Sequence, residues 1–255
     1  MPAQLRRVDG AQNKMSDDNF DIEHLLEGRI ATYGFLSRLY RLEVDQELLD
    51  EMCAMRFPTK TGNDDVDAAN QLFCSYLNTV WERTLTELAV DYTRVFLGGG
   101  IDAYSASYPF ESVYTSSKRL LMQEARDEVL AIYRANNIKV SSTVKLNEDH
   151  ISLEMEFLQV LGKQALEAFR SDDGQKAAEL LMTSYGFLME HLISWTPLFL
   201  VDMKKFAKTD FYQALALMTS GFLAVDRELL EGLLAEELEA VGNEWNKKDN
   251  PKSEE

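Results

Sequence analysis

From Ile22 the apolar positions Leu25, Leu26, Ile30, Tyr33, Leu36, Leu39 and Tyr40 fall three and four residues apart, the spacing of one face of an α-helix. Ser16, Asp17 and Asp18 supply capping chemistry just ahead of that repeat, so the ordered part is expected to begin near Asn19. A shorter helix over Gln46–Met55 is stopped by Pro58. Asp64–Phe96 reads as one or two helices, with Leu72, Phe73, Tyr76, Leu77, Val80, Trp81, Leu85, Leu88, Tyr92, Val95 and Phe96 on the helical repeat. Gly98-Gly99-Gly100 breaks the pattern, and an aromatic-rich loop with Tyr104, Tyr108, Pro109 and Phe110 runs to about Val113.

The helical period returns over Ser116–Asn136, where Leu120, Leu121, Val129 and Tyr133 are expected inward, and a polar link through Ser141-Ser142-Thr143 follows. Glu148–Phe169, Asp172–His191, Pro197–Phe206 and Asp210–Leu234 complete the set. Alternating strand patterns are missing, and no repeat or long linker divides the chain. The expected architecture is all-α, a single-domain helical bundle: a flexible segment over 1–18, one helical domain over 19–236 and a charged flexible tail over 237–255.

Composition sharpens this. The 255 residues carry 26 Lys+Arg against 43 Asp+Glu, a formal net charge of −17, with 45% hydrophobic residues. A chain this acidic lacks the basic footprint that neutralises phosphates, which excludes nucleic acid as a partner. No apolar run approaches the roughly 18–20 residues that span a bilayer. Cys53 and Cys74 both sit in helix-like sequence and read as free thiols in a reducing cytoplasm. Arg6-Arg7 is followed by polar residues where an export signal needs apolar ones, so the protein is not expected to be exported itself.

Candidate chemistry is sparse. The residues three before His24, His150 and His191 are Asp21, Asn147 and Leu188, so the Glu-x-x-His pairs of di-iron bundles are lacking. No zinc pair, nucleophile elbow or Walker loop is present, and no metal, cofactor or catalytic residue is expected. The plain reading of Gly98 is a helix stop. Three clusters exceed what bundle packing needs: Asp91–Gly98, where aromatics spill towards a glycine loop; Tyr108–Tyr114, apolar in a loop; and Asn147-Glu148-Asp149-His150 at a helix start. In the last, Asn147 reads as an N-cap, with acids favoured by the helix dipole and Glu154 one turn on from His150.

These clusters, in this order, resemble the TorD/DmsD family of redox-enzyme maturation chaperones, to which NarJ-type chaperones are related. Tyr92-Thr93-Arg94-Val95-Phe96-Leu97-Gly98 is similar to that family's aromatic-x-x-Leu-Phe-x-Gly segment, with Val95 in place of Leu. Pro109-Phe110-Glu111-Ser112-Val113-Tyr114 is similar to its Pro-aromatic-x-Ser-Val-aromatic loop. Of its Glu-Pro-x-Asp-His motif this chain keeps Asp149-His150 and has Leu146-Asn147 in place of Glu-Pro. The likeness runs from about residue 22 to 230 and takes in Tyr33–Tyr40 and Phe211–Leu215. It implies a cytoplasmic chaperone, not an enzyme. Such a protein binds the twin-arginine leader, or the apoprotein, of a molybdopterin-containing oxidoreductase until the cofactor is inserted. Some members are reported to bind guanine nucleotide, for which this chain shows no phosphate loop; whether it forms a homodimer is left open.

A twin-arginine leader has a basic head and an apolar middle. Tyr92, Phe96, Phe110 and Tyr114 are expected to form the apolar wall of a groove, with Pro109, Asp149 and His150 also among the peptide-binding residues and Asp149 and Glu111 facing the arginines. Core packing is the rival account of Tyr92 and Phe96, and burial separates the two. The alternative functions are a small-ligand-binding or enzymatic protein with an acidic pocket near His150, and an acidic scaffold that binds partners through its helix faces.

Overall fold

The structure, a computed structural model, describes residues 12–98, 105–235 and 238, with side chains from residue 22 on. Arg6-Arg7, Gly99, Gly100, Tyr104 and nearly all of the 237–255 segment lie outside the described residues. The described chain is all-α: α1 (Gln12–Arg41), α2 (Gln46–Ala54), α3 (Asp64–Leu77), α4 (Thr84–Tyr92), α5 (Glu111–Thr115), α6 (Glu124–Ala135), α7 (Ile151–Arg170), α8 (Gly174–Phe187), α9 (Thr196–Phe206) and α10 (Asp210–Leu233). α4 and α8 each run on into a wider π-helical turn, Thr93–Leu97 and Leu188–Ile193. Such turns are rare and tend to sit beside functional sites.

Long helices pair along their lengths: α1 on α7, α7 on α8, and α3 on α10. The last pairing depends on Gly221, where a Cβ would meet the Asn63 side chain at 2.7 Å and the Val66 backbone nitrogen at 2.8 Å. At the centre, Phe96 meets Tyr92, Tyr40 and Tyr212 edge-on at centroid distances of 5.0, 5.6 and 5.7 Å. Such ring pairs add to the area they bury. A charged tie spans α1 and α10: the Arg29 guanidinium and the Tyr33 hydroxyl both donate to the Asp226 carboxylate, at 2.7 and 2.6 Å. Asp91, at the end of α4, accepts from the Lys208 and Thr209 N–H groups and the Thr209 hydroxyl, which fixes the start of α10.

Of the one or two helices expected over Asp64–Phe96 the structure has two, separated by residues 78–83. Other boundaries differ from the sequence expectation. Residues 116–123 are turns rather than the first part of a helix, with Arg119 and Met122 at positive φ. Leu120 and Leu121 therefore lie on the surface, not inward. A tertiary tie explains this: Arg119 is drawn to Asp202 of α9 at 2.7 Å and lies over the Tyr114 ring, which holds the segment away from helical geometry. Both cysteines are free, Cys53 exposed and Cys74 half-buried. Gly98 does end its helix at positive φ, yet with ψ −175° it is extended rather than left-handed helical. A Cβ there would lie 2.9 Å from Ala106 and from the Tyr108 hydroxyl, so only glycine fits.

Candidate functional site

The Pro109–Val113 motif and the Asp149-His150 pair, far apart in sequence, form one stitched unit. Phe110 and His150 make an isolated antiparallel bridge. The Ile151 N–H donates to the Pro109 carbonyl at 3.0 Å, and the Glu111 N–H to the Asp149 carbonyl at 2.9 Å. The Asp149 carboxylate accepts from the Ser112 N–H at 3.0 Å, satisfying a free donor at the start of α5. Asp149 is thus 0% exposed and turned to the protein, not to a groove. Burial raises its pKa.

His150, not Asn147, is the N-cap of α7: its Nδ1 accepts from the Ser152 N–H at 3.1 Å, with the Ser152 hydroxyl at 2.8 Å. Asn147 to Asp149 form the preceding turn, closed by the His150 N–H donating to the Asn147 carbonyl. An Nδ1 that accepts must leave the ring proton on Nε2 of a neutral imidazole. Burial, helped by the charge of Arg41, lowers the His150 pKa to about 3. Glu154 does not hold this ring. It is wholly buried with neither oxygen hydrogen-bonded, and burial followed by the Glu111 and Asp149 charges pushes its pKa well up.

Beside His150 lies a cleft of about 460 Å³. Tyr92, Phe96, Pro109, Phe110 and His150 line it, as the sequence suggested. The depth of the two α4-side rings differs from that suggestion. Phe96 is 1% and Tyr92 7% exposed, so both are core residues that form the cleft's floor, the outcome of the packing account. The Tyr92 hydroxyl donates to the Tyr40 carbonyl at 3.0 Å, and burial followed by the Glu43 charge pushes its pKa up to about 12. Phe110 is half-buried, edge-on to His150 at 4.9 Å.

The remaining wall was not read from the sequence: Leu42 and Leu97, 56% and 55% exposed, and half-buried Leu146. Two of them carried a signal, an apolar residue at a helix end just beyond the repeat. The rim carries both signs. Arg38 donates to the Leu42 and Glu43 carbonyls, each at 3.1 Å, and to the Asp45 carboxylate at 2.6 Å, which fixes the loop before α2. Arg41 pairs with Glu156 and reaches the Ser37 hydroxyl at 3.2 Å. Among the described residues Glu43 forms no ion pair. The pocket by His150 is therefore mixed in charge, not acidic.

Glu111 and Tyr114 stand elsewhere. Phe110 is extended, so its neighbour Glu111 turns to the opposite side. There Glu111 lies 3.1 Å from Nδ1 of His191 and borders an acidic hollow of about 470 Å³ with Glu124, Glu128 and Glu190. Burial raises the Glu111 pKa; burial works against a charged His191, but Glu111 outweighs it and raises that ring's pKa too. Tyr114 stacks on Trp195 at 5.6 Å and donates to Asp202 at 3.3 Å, away from the cleft. Among the described residues no cluster of His, Cys, Asp and Glu is placed to hold a metal, and no helix is long and apolar enough to cross a membrane.

Fold and site together define an all-helical protein with an apolar cleft of charged rim beside His150. The chain matches the family described as nitrate reductase delta subunit over residues 61–201 and belongs to it, the family of NarJ- and TorD-type chaperones. It is similar to Chaperone protein TorD of Vibrio cholerae, 26% identical over 222 residues covering 85% of this chain and 98% of that one. Chaperone protein TorD of Vibrio vulnificus is 25% identical over 218 residues, 83% of this chain and 99% of that one. That of Shewanella pealeana is 26% identical over 238 residues, 88% and 99%. The relatives are named chaperones, a non-enzymatic role, and this chain is a chaperone of the redox-enzyme maturation type rather than an enzyme.

Proposed function

We propose that this chaperone acts in the cytoplasm, binding the twin-arginine leader of a molybdopterin oxidoreductase in the cleft and holding the apoprotein until its cofactor is inserted. The observation that carries the reading is the pairing of Leu42, Leu97, Phe110 and Leu146 with Glu43, which forms no ion pair among the described residues, around one opening. An apolar leader segment buries against the leucines and Phe110 at about 25 cal/mol per Å². A leader arginine meets Glu43, a contact near the surface that contributes about 0–1 kcal/mol. Affinity then resides in the apolar wall, and the preference for arginine in the rim. Asp149 serves this site by holding the 109–112 segment in place.

Titrating a fluorescent peptide, an Arg-Arg head followed by an apolar segment, into the full chain tests this. Leu97→Asp changes an exposed residue and should spare the fold, yet weaken binding about tenfold or more, because it places a charge where an apolar side chain docks. Glu43→Gln should weaken it less than about fivefold. Absence of binding by the unaltered chain, or indifference to Leu97→Asp, overturns the assignment.

A further inference from the structure

Arg41 borders two openings. On the other side of that residue lies a second, largely apolar compartment of about 200 Å³, walled by Ile138, Val140 and Val144 from the link and by Leu153, Phe157 and Val160 of α7. Arg41 lines both openings, and its partner Glu156 lies in the second. The link before α7 is also shared: Leu146 walls the first compartment, and Ile138, Val140 and Val144 the second. This link is polar at Ser141, Ser142 and Thr143, but Ile138, Val140 and Val144 are half-buried and face the compartment they line. A link that only connected two helices has no need to hold three apolar side chains at an open edge.

We infer that the two compartments form one trough along α7, that the leader's apolar segment runs through both, and that the second compartment reads the length of that segment. The inference rests on the leader-binding reading above. Along α7 the second compartment runs from Leu153 to Val160, seven positions. At 1.5 Å per residue this is about 10 Å, which an extended chain at about 3.3 Å per residue covers in roughly three residues. The occupant is therefore a leader whose apolar stretch goes about three residues beyond what the first compartment holds. Where it crosses between compartments it passes the Arg41 guanidinium, whose fixed fork of donors suits the carbonyls of an extended backbone.

The experiment compares two peptides on the full chain, each with an Arg-Arg head, followed by five or by ten apolar residues, with Kd from fluorescence anisotropy. The longer peptide is expected to bind about tenfold tighter or more. Val144→Asp, and separately Val140→Asp, should remove that gain while leaving the Kd of the shorter peptide within about twofold. Equal affinity of the two peptides for the unaltered chain overturns the inference without any variant, as does a variant that weakens both peptides alike. Should neither peptide bind the unaltered chain, the leader reading itself falls, an outcome distinct from failure of the length dependence.

Discussion

His150 shows how one side chain serves two levels of structure. Its Nδ1 caps α7 while its ring lines the cleft, and a ring whose pKa is lowered to about 3 stays neutral there. The sign of its effect on stability follows. Between the unfolded value near 6.5 and about 3, the unfolded chain binds a proton that the folded one refuses. Stability from this group is complete above the upper value and is lost as pH falls through the window, by up to about 1.4 kcal/mol per pH unit. His150→Asn keeps a capping acceptor and removes the titration. Urea unfolding at pH 7, 6 and 5 should show a flatter acid limb for the variant, whereas parallel limbs would place the proton elsewhere. Asp149 and Glu154, with raised values, act oppositely, holding protons that the unfolded chain releases as pH rises.

Among the elements, the α4 end and the α10 start are joined through one carboxylate. Asp91 is 1% exposed, with bonds of 2.7 Å to the Thr209 N–H, 2.8 Å to its hydroxyl and 3.0 Å to the Lys208 N–H. Asp91→Ala would leave these donors without a partner, at about 1–3 kcal/mol. The expected result is a lower urea midpoint with an unchanged slope of unfolding free energy on denaturant, which separates lost stability from a changed unfolded state. The same carboxylate holds Arg94 of the π turn that carries Phe96 and Leu97 to the cleft, so the variant should also loosen leader binding. The Asp91–Gly98 segment is thus a structural joint first and a wall second.

At the scale of the molecule, the net charge of −17 acts on encounter more than on holding. A basic leader is drawn in by the summed field, which salt screens with a Debye length of about 10 Å at 0.1 M. Stopped-flow binding of an Arg-Arg peptide should therefore slow in association as salt is raised from about 0.02 to 0.5 M, with a much smaller change in dissociation. A dissociation rate that carries most of the salt effect would shift the source of affinity from the apolar wall to the rim.

The all-α architecture and its family were legible because both rest on local patterns: apolar residues every three or four positions, scarce turn residues, and three short motifs in order. Phe110 and His150 stood out as cleft candidates because an aromatic in a loop and a histidine at a helix start both break local expectation, and both line the cleft. The roles of Asp149, Glu111 and Tyr114 were not. A side chain's direction depends on what the chain brings up against it: Asp149 turns to Ser112, Glu111 to His191, Tyr114 to Trp195. The exposed leucines, the mixed rim and the second compartment were equally hidden, since a cleft is the space left between elements and belongs to no segment of sequence. Periodicity tells which residues leave water; only packing decides which of them still face an opening.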